Sequence, residues 1–463
     1  MNAVCFLFYS GIRSESFTIS VNLTKKGGNR MSVKIFSATV ILALAVFLVS
    51  TVPAVSQTLT PNEQLGKSIF FDMNLSINNN QSCAACHAAE VGWTGPEGNI
   101  NLFGAVYEGS IPGRFGDRKP PSSGYATVSP ILHVDKKGTF IGGNFWDGRA
   151  TGEKLGNPAA DQAQGPFLNP VEQALPDSAC VVYRVCNPAF PDGYPVSFED
   201  VWGNTACEIA WPNNIDKKCS KEGSMVMLSD EDRTKSDMAY DNIARSIAAY
   251  EASPEVNAFT SKYDLTFEGT AKLTKEEQKG SALLWGKGKC ALCHIFGGKK
   301  ALFTDFTYDN LGIPKNPDNP VYNVNPDFVD PGLGGFLMKR PDYQEFAAEN
   351  YGKHKVPTLR NVGKGSCEAE PENPDCIIKA YGHNGYFKSI WQIVHFYNTR
   401  DVKMRCPDPL TPIEEALAND CWPEPEVSAN LNTDELGDLG LSFEEEMAIV
   451  AFLKALSDGY IPE

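Results

Sequence analysis

The sequence predicts a mostly α-helical fold with long loops and little sheet, divided into two domains of the same kind. A helix-start pattern occurs twice, at residues 60–66 and 274–280, and no convincing run alternates between apolar and polar residues as strands do. The 463 residues are too many for one small domain. The 40 glycines and 31 prolines suit long ordered loops but are too few for a disordered chain.

Both copies of the pattern read T-x-x-E-Q-x-G. Thr60 and Glu63 in the first copy, and Thr274 and Glu277 in the second, have the spacing of a capping box. In a capping box, each side chain accepts a hydrogen bond from a free backbone N–H at the start of a helix. Each copy therefore opens an amphipathic helix, and each helix runs toward a C-x-x-C-H string.

Three further helices are predicted from apolar residues at helical spacing, and the last of them begins with a capping box formed by Ser442 and Glu445. Their apolar positions are Ile243, Ile247 and Tyr250 in the first, Ile390, Ile393, Val394 and Tyr397 in the second, and Ile449, Val450, Phe452, Leu453 and Leu456 in the third.

The two C-x-x-C-H strings, at residues 83–87 and 290–294, carry the chemistry. This is the attachment sequence of c-type haem, in which the thiols form thioether bonds and the His is the proximal iron ligand. The composition predicts about 0.005 copies by chance, so two copies are not accidental. A thioredoxin-like pair does not require His in the next position. A zinc site needs further Cys or His nearby, in a chain with only six His.

We therefore predict two covalently bound haem c groups, one in each of two cytochrome c-like domains at residues 57–265 and 266–463. The attachment residues are Cys83, Cys86 and His87 for the first haem, and Cys290, Cys293 and His294 for the second.

Residues 31–56 are interpreted as a secretory signal peptide. A basic segment with Lys34 precedes an apolar run at 35–49, and small residues lead to a cleavage site after Ser56. The run is shorter than the roughly 20 residues of a membrane span. Residues 1–30 fit no pattern, and we interpret them as an extension upstream of the true start. The expected location is the periplasm.

Eight further cysteines indicate disulfides, because their number is even and the chain is predicted to be exported. Their sequence alone does not fix the pairing, and we predict that close neighbours pair. All eight are expected in Pro-, Asn- and Asp-rich loops, where they would tie long insertions. The predicted pairs are Cys180–Cys186, Cys207–Cys219, Cys367–Cys376 and Cys406–Cys421.

Further strings along the whole exported chain resemble the family of the bacterial diheme cytochrome c peroxidases and MauG. They lie at residues 75–76, 145–149, 162–172, 303–305, 356–361 and 381–385. The resemblance implies a peroxide-reactive haem in the N-terminal domain and an electron-transfer haem in the C-terminal domain.

The resemblance also implies catalytic roles in the N-terminal domain. Glu172 would be the acid–base group, because a carboxyl beside an apolar haem has a raised pKa. Gln162 would bind the distal oxygen, and Pro166 would wall the pocket. Trp146 would relay an electron between the haems. Considered alone, Glu172 is one of 57 acidic residues and Trp146 could be a core residue.

The chain departs from the family pattern in one His. Ordinary members place a His after the first C-x-x-C-H string, and this His blocks the peroxide site until reduction elsewhere releases it. Here no His occurs between Ala88 and Leu132, and the next one is His133. The peroxide site is therefore expected to be open in the oxidised enzyme.

A second departure concerns the ligand of the second haem. Fourteen residues after His383, ordinary peroxidases carry Met, whereas this chain has Tyr397, as the MauG-like members do. A phenolate ligand stabilises ferric iron and lowers its potential. The alternatives are that Tyr397 is a core residue and that Met404 or Met338 is the ligand.

A third departure concerns calcium. The family holds this ion with an Asn and with backbone carbonyls, and the matching positions here are Lys119, Ile378 and Ala380. The carbonyls remain available, but an ammonium cannot ligate calcium and can take the place of its charge, so the case for calcium is weak.

The remaining histidines are less informative. His383 is expected near the second haem, whereas His354 and His395 are interpreted as surface or loop residues, and His133 is ambiguous.

Three functions are compatible with these residues. The first is a peroxidase that reduces hydrogen peroxide with electrons from a small cytochrome c or cupredoxin. The second is a MauG-like oxidase that modifies a protein substrate, and the third is a plain electron carrier. The missing His and the presence of Glu172 speak against a carrier, which gains nothing from an open iron. The formal charge of −16 argues against nucleic acid as a partner, and a homodimer is left open.

Overall fold

The computed structural model describes residues 58–189 and 193–462. Residues 1–30 and the predicted signal peptide at 31–56 lie outside this part of the chain. Within it, α-helices alternate with long loops, and the strands form three two-stranded sheets. The mostly helical fold with little sheet is therefore confirmed.

The α-helices are, in chain order, α1 Pro61–Phe71, α2 Gly98–Leu102, α3 Pro158–Leu168, α4 Ser178–Cys186, α5 Pro195–Trp202, α6 Ile215–Cys219, α7 Asp230–Ala252, α8 Lys262–Thr266, α9 Lys275–Trp285, α10 Val321–Val324, α11 Gly332–Leu337, α12 Ile390–Thr399, α13 Ile413–Ala418 and α14 Phe443–Lys454.

The strands are β1 His133–Val134, β2 Phe140–Ile141, β3 Tyr308–Asp309, β4 His354–Lys355, β5 Met404–Arg405 and β6 Cys421–Trp422. The pairs β1–β2 and β3–β4 are antiparallel, and β5–β6 is parallel. Short 3-10 turns include Cys83–Ala85 and Cys290–Leu292, which form the first three residues of the two C-x-x-C-H strings.

The repeated sequence pattern forms a repeated structure. Both predicted capping boxes are present, and they start α1 and α9. Helix α1 packs against α7, and α9 packs against α14. At the two crossings lie the last residues of the pattern, Gly66 and Gly280. A Cβ atom on either would overlap a backbone carbonyl oxygen of the facing helix, at Ser246 or Ala448.

Two large apolar cores follow from these helix pairs. The first contains buried residues from Leu65 to Val256, and the second contains buried residues from Tyr263 to Leu456. Helices α1, α4 and α7 contribute to the first core, and α9, α12 and α14 contribute to the second. The first core ends at Val256 and the second begins at Tyr263. The domain boundary at residue 265 stays a prediction.

Four disulfides are present among the described residues, and two of the predicted pairings are wrong. Cys367–Cys376 and Cys406–Cys421 are confirmed. The other four cysteines pair as Cys180–Cys219 and Cys186–Cys207. The expectation that all eight lie in loops is also wrong, because three of these four lie in α4 and α6.

The geometry of α4 explains the pairing error. Cys180 and Cys186 are six residues apart in this buried helix, so they are separated by about 9 Å along its axis. A disulfide requires Cα atoms within about 7 Å. The two cysteines must therefore bond to other segments, and they fix α4 to the chain between α5 and α7.

No helix in the described residues is long and apolar enough to cross a membrane.

The crossing at Gly280 gives a stability prediction. We expect Gly280→Ala to lower the free energy of unfolding by about 1–3 kcal/mol, because the added methyl group separates α9 from α14. Gly297→Ala is the matched control, since a Cβ atom there meets nothing within 4 Å. Guanidinium denaturation followed by far-UV circular dichroism measures both variants. Equal midpoints for the two variants would contradict the close helix contact.

Candidate functional site

Two cavities lie beside the two C-x-x-C-H strings, and three residues border both of them: Lys119, Pro121 and Trp146. The first cavity is lined, among others, by Cys83, Cys86, His87, Gln162, Pro166, Asn169, Glu172 and Glu251. The second cavity is lined, among others, by Lys119, Cys290, Cys293, His294, Lys379, His383 and Tyr397. The fold thus brings each predicted group of site residues to one cavity.

The two histidines of the strings are held in the same way. His87 Nδ1 lies 3.2 Å from the carbonyl oxygen of Trp93, and His294 Nδ1 lies 2.9 Å from that of Phe303. Trp93 and Phe303 both have positive φ values, 63° and 55°. A carbonyl can only accept, so Nδ1 carries the proton in each ring and Nε2 keeps its lone pair for an iron.

Burial favours the uncharged forms of the histidines and thiols of the two strings. It lowers the pKa of His87 to about 4 and also lowers the pKa of His294, so both rings are neutral at pH 7. Burial raises the pKa of the Cys86 thiol to about 12. Among the described cysteines, those of the two strings are the ones that form no disulfide. Free thiols beside a neutral imidazole fit c-type haem.

Helix α3 and the turn after it supply the opposite wall of the first cavity. Gln162 and Pro166 lie on α3, and Glu172 follows the helix end. Asn169 Nδ2 donates to Glu172 Oε1 at 3.0 Å. Burial raises the pKa of Glu172, while Arg149 and Asn169 act in the opposite direction. The carboxyl therefore titrates closer to neutral pH than an exposed Glu.

The lining of the first cavity contains His87 and no other His of the described chain. His133 lies on β1, where its side chain is exposed and its Nδ1 atom lies 2.9 Å from the carbonyl oxygen of Ile131. The expectation that no second His blocks this cavity is consistent with this arrangement.

Trp146 borders both cavities, and a hydrogen bond of its indole N–H fixes the side chain. Its Nε1 atom donates to the backbone carbonyl of Lys119 at 2.8 Å. The side chain borders both cavities, which is the position that an electron relay requires.

Tyr397 lies on α12 and borders the second cavity together with Cys290, Cys293 and His294. Burial raises the pKa of its phenol. The alternative ligands do not border this cavity: Met404 is 76% exposed and Met338 is 54% exposed. Of the three candidate ligands, Tyr397 is the one that borders the second cavity, and its role as an iron ligand stays a prediction.

The positions that match the family's calcium ligands are occupied differently here. The buried ammonium of Lys119 donates to Thr94 Oγ1 at 2.8 Å and to the carbonyl of Pro120 at 3.0 Å. The carbonyl of Ile378 already accepts from Asn101 Nδ2 at 3.0 Å. Ala380 is buried beside Lys379. This arrangement supports a tethered ammonium in place of calcium, which stays a prediction.

Two buried site residues were missed in the sequence. Glu251 borders the first cavity, and burial raises its pKa to about 8. It follows Ile247 by four residues on α7, so it continues the apolar face of that helix, which is the signal that could have identified it. Lys379 borders the second cavity and donates to three backbone carbonyls.

The interpretation of His354 and His395 as surface or loop residues is wrong. His354 is in strand β4, where its ring stacks on that of His383 with centroids 3.7 Å apart. His395 is in α12 and its Nδ1 atom lies 2.8 Å from a carboxylate oxygen of Glu446. Partners distant in sequence surround both residues, so local composition did not reveal their environment. His383 borders the second cavity.

Comparisons with known proteins agree with this geometry. The family model of the di-haem cytochrome c peroxidases matches residues 60–272. The methylamine utilization protein MauG of Paracoccus denitrificans is 35% identical over 405 residues, which cover 85% of this chain and 88% of MauG. A cytochrome-c peroxidase of Denitromonas iodatirespirans is 24% identical over 418 residues, which cover 88% of this chain and 84% of that protein.

A solved structure shares the fold. The diheme peroxidase BthA from Burkholderia thailandensis superposes with a TM-score of 0.65 at 25% identity and covers 87% of each chain. Fold and cavities together define a haem-dependent oxidoreductase. The chain belongs to the di-haem cytochrome c peroxidase family, as its sequence motifs indicated.

Proposed function

We propose that this protein is a periplasmic diheme c-type peroxidase that reduces hydrogen peroxide to water. A small redox protein, a cytochrome c or a cupredoxin, would supply the electrons through the C-terminal haem. The observation that carries the proposal is the first cavity, where Glu172 and Gln162 face the same space as His87 and no second His lines the wall in the described chain. The predicted signal peptide at residues 31–56 supports export.

The residues that would hold the two haems are those of the strings. Cys83 and Cys86 would form thioethers with the first haem, and Cys290 and Cys293 would do so with the second. The lone pairs of His87 Nε2 and His294 Nε2 would bind the irons, because Nδ1 of each ring is occupied by a backbone carbonyl. Tyr397 would complete the coordination of the second iron.

Reduction of one hydrogen peroxide consumes two electrons and two protons and yields two molecules of water. When bound, the haem iron supplies the electrons that break the O–O bond. Asn169 Nδ2 donates to Glu172 Oε1, so Oε2 of this carboxylate would be free to take a proton from one oxygen of hydrogen peroxide and deliver it to the other. The side-chain amide of Gln162 donates a hydrogen bond that orients the outer oxygen, and Pro166 limits water.

Electrons must cross from the second cavity to the first, and Trp146 borders both. The hydrogen bond from Trp146 Nε1 to the Lys119 carbonyl fixes the plane of the indole. A fixed aromatic side chain between two redox centres shortens each electron-transfer step.

A MauG-like oxidase that modifies a side chain of a protein substrate is the second candidate. Tyr397 in the second cavity and the 35% identity to MauG favour it. The two candidates differ in which protein is oxidised. A peroxidase oxidises a reduced electron-donor protein, whereas a MauG-like oxidase oxidises a side chain of its substrate protein. Turnover of peroxide with reduced cytochrome c, without a mass change in added proteins, supports the peroxidase.

The first prediction from this proposal concerns haem content. Protein expressed with the cytochrome c maturation machinery should carry two covalent haems, because both strings present free, partly buried thiols. Mass spectrometry and the pyridine haemochrome spectrum measure this. The double variant Cys83→Ala with Cys86→Ala should lose covalent attachment of one haem, whereas the disulfide control Cys367→Ser with Cys376→Ser should keep both. One haem or none in the unchanged protein would contradict the proposal.

The second prediction concerns Glu172. The oxidised protein should react with peroxide without prior reduction, and Glu172→Gln should slow this step by roughly 10²–10⁴-fold, the range for a positioned acid–base group. Stopped-flow absorption at the Soret band measures the rate. Glu90→Gln, an exposed residue, is the control and should react like the unchanged protein. An unchanged rate in Glu172→Gln would assign this residue a structural role.

The third prediction concerns Tyr397. Tyr397→Phe removes the only oxygen of this side chain, so the second iron should become five-coordinate or bind water while the first stays unchanged. Electron paramagnetic resonance of the oxidised protein separates the two irons. Tyr386→Phe is the matched control, because its phenol is buried and donates to the Thr411 carbonyl instead. A methionine–iron band near the red end of the wild-type spectrum would exclude Tyr397 as the ligand.

A further inference from the structure

Asp330, His354 and His383 in the wall of the second cavity place metal-binding atoms within 4.8 Å of one another, and the carboxylate of Glu426 adjoins His383. His354 Nε2 lies 3.2 Å from Asp330 Oδ2, and His383 Nε2 lies 4.0 Å from the same oxygen. Glu426 Oε2 lies 3.2 Å from His383 Nε2. All four side chains are enclosed: the side chain of His354 is 11% exposed, and the other three are 5% exposed or less.

The contact between His354 and Asp330 is close but poorly directed. His354 Nε2 is buried and makes no hydrogen bond with acceptable angles, although a carboxylate oxygen lies 3.2 Å away. The rings of His354 and His383 are stacked with an angle of 10° between their planes. Two imidazolium charges at this separation repel, so at least one ring is neutral and presents a nitrogen lone pair.

A metal ion accounts for this set of distances. Ligand atoms about 2.1 Å from a tetrahedral zinc ion lie about 3.4 Å from one another. The separations of 3.2 Å and 4.0 Å between the nitrogen and oxygen atoms here bracket that value. Two imidazoles with two carboxylates form a mixed nitrogen and oxygen donor set, which suits divalent transition metals. Calcium prefers oxygen ligands alone.

The supporting structure fixes the ligands from separate parts of the chain. Asp330 precedes α11, His354 is in β4, and His383 lies in the turn before α12. Arg118 donates to both oxygens of Asp330 at 2.6 Å, and the backbone N–H of Asp330 donates to Glu426 Oε1 at 3.0 Å. Such outer contacts orient carboxylate ligands in metal sites.

We propose that Asp330, His354, His383 and Glu426 bind one divalent transition-metal ion of the zinc type. The ion would join chain segments that are 96 residues apart, from Asp330 to Glu426, in the wall of the second cavity. The proposal is independent of the peroxidase activity, because none of the four residues has a role in the proposed reaction.

The test measures zinc in the diheme protein, prepared without a polyhistidine tag. The protein is stripped with a chelator and equilibrated with micromolar Zn²⁺ in the presence of millimolar Ca²⁺, and its metal content is then determined by mass spectrometry. We expect one zinc per chain. We expect the affinity to fall by about tenfold or more in His354→Phe and in His383→Gln, because each loses an imidazole ligand. Haem content verifies that the variants fold.

His133→Phe is the matched control, since His133 is an exposed His outside the cluster, and it should retain zinc. X-ray absorption at the zinc edge of the unchanged protein gives a result that does not depend on any variant. Two imidazole nitrogens and two oxygens support the site. No saturable zinc, zinc displaced by calcium, or equal zinc in His354→Phe and His133→Phe would overturn the proposal and leave a cluster of hydrogen-bonded side chains.

Discussion

Close contact between two backbones determines the architecture of each half of this protein. At Gly66, α1 lies so close to α7 that no Cβ atom fits, and at Gly280 the same holds for α9 and α14. Each capping box fixes where α1 or α9 starts, and the C-x-x-C-H turn follows the end of the helix by a short segment. The position of the crossing therefore sets where each His and its pair of thiols enter the cavity.

The two halves share this framework. They differ in the segment that lines the cavity together with His87 in the first half and with His294 in the second. In the first half, α3 and its following turn place an acid, Glu172, and an amide, Gln162, against the cavity. In the second half, α12 places the phenol of Tyr397 there. An acid–base group suits a reacting centre, and a permanent ligand suits a centre that only transfers electrons. The different residues in these two cavity walls are the basis of the proposed division into a peroxide-reactive haem and an electron-transfer haem.

Local sequence patterns predicted correctly those structural features that depend on residues close together in the sequence. The capping boxes, the strings and the apolar face containing Tyr397 are all set within one helix or turn, and the structure has them. The pairing of Cys180 and the environment of His354 depend on segments far along the chain, and the sequence predicted both wrongly. Glu251 is a third case. A charged residue on the apolar face of a helix can be identified as a site residue only when that face is known to border a cavity.

Lys119 borders both cavities and is part of the chain, whereas a calcium ion would be bound reversibly. Its ammonium is buried at the position where the family pattern has a calcium ligand, and its backbone carbonyl holds the indole of Trp146. Burial lowers the pKa of Lys119 to about 8, so the group remains mostly charged at neutral pH. A calcium ion can dissociate when its concentration falls, whereas a covalently attached ammonium cannot. With the ammonium in place of calcium, as we predict, the chain itself would maintain the orientation of Trp146 beside the two cavities.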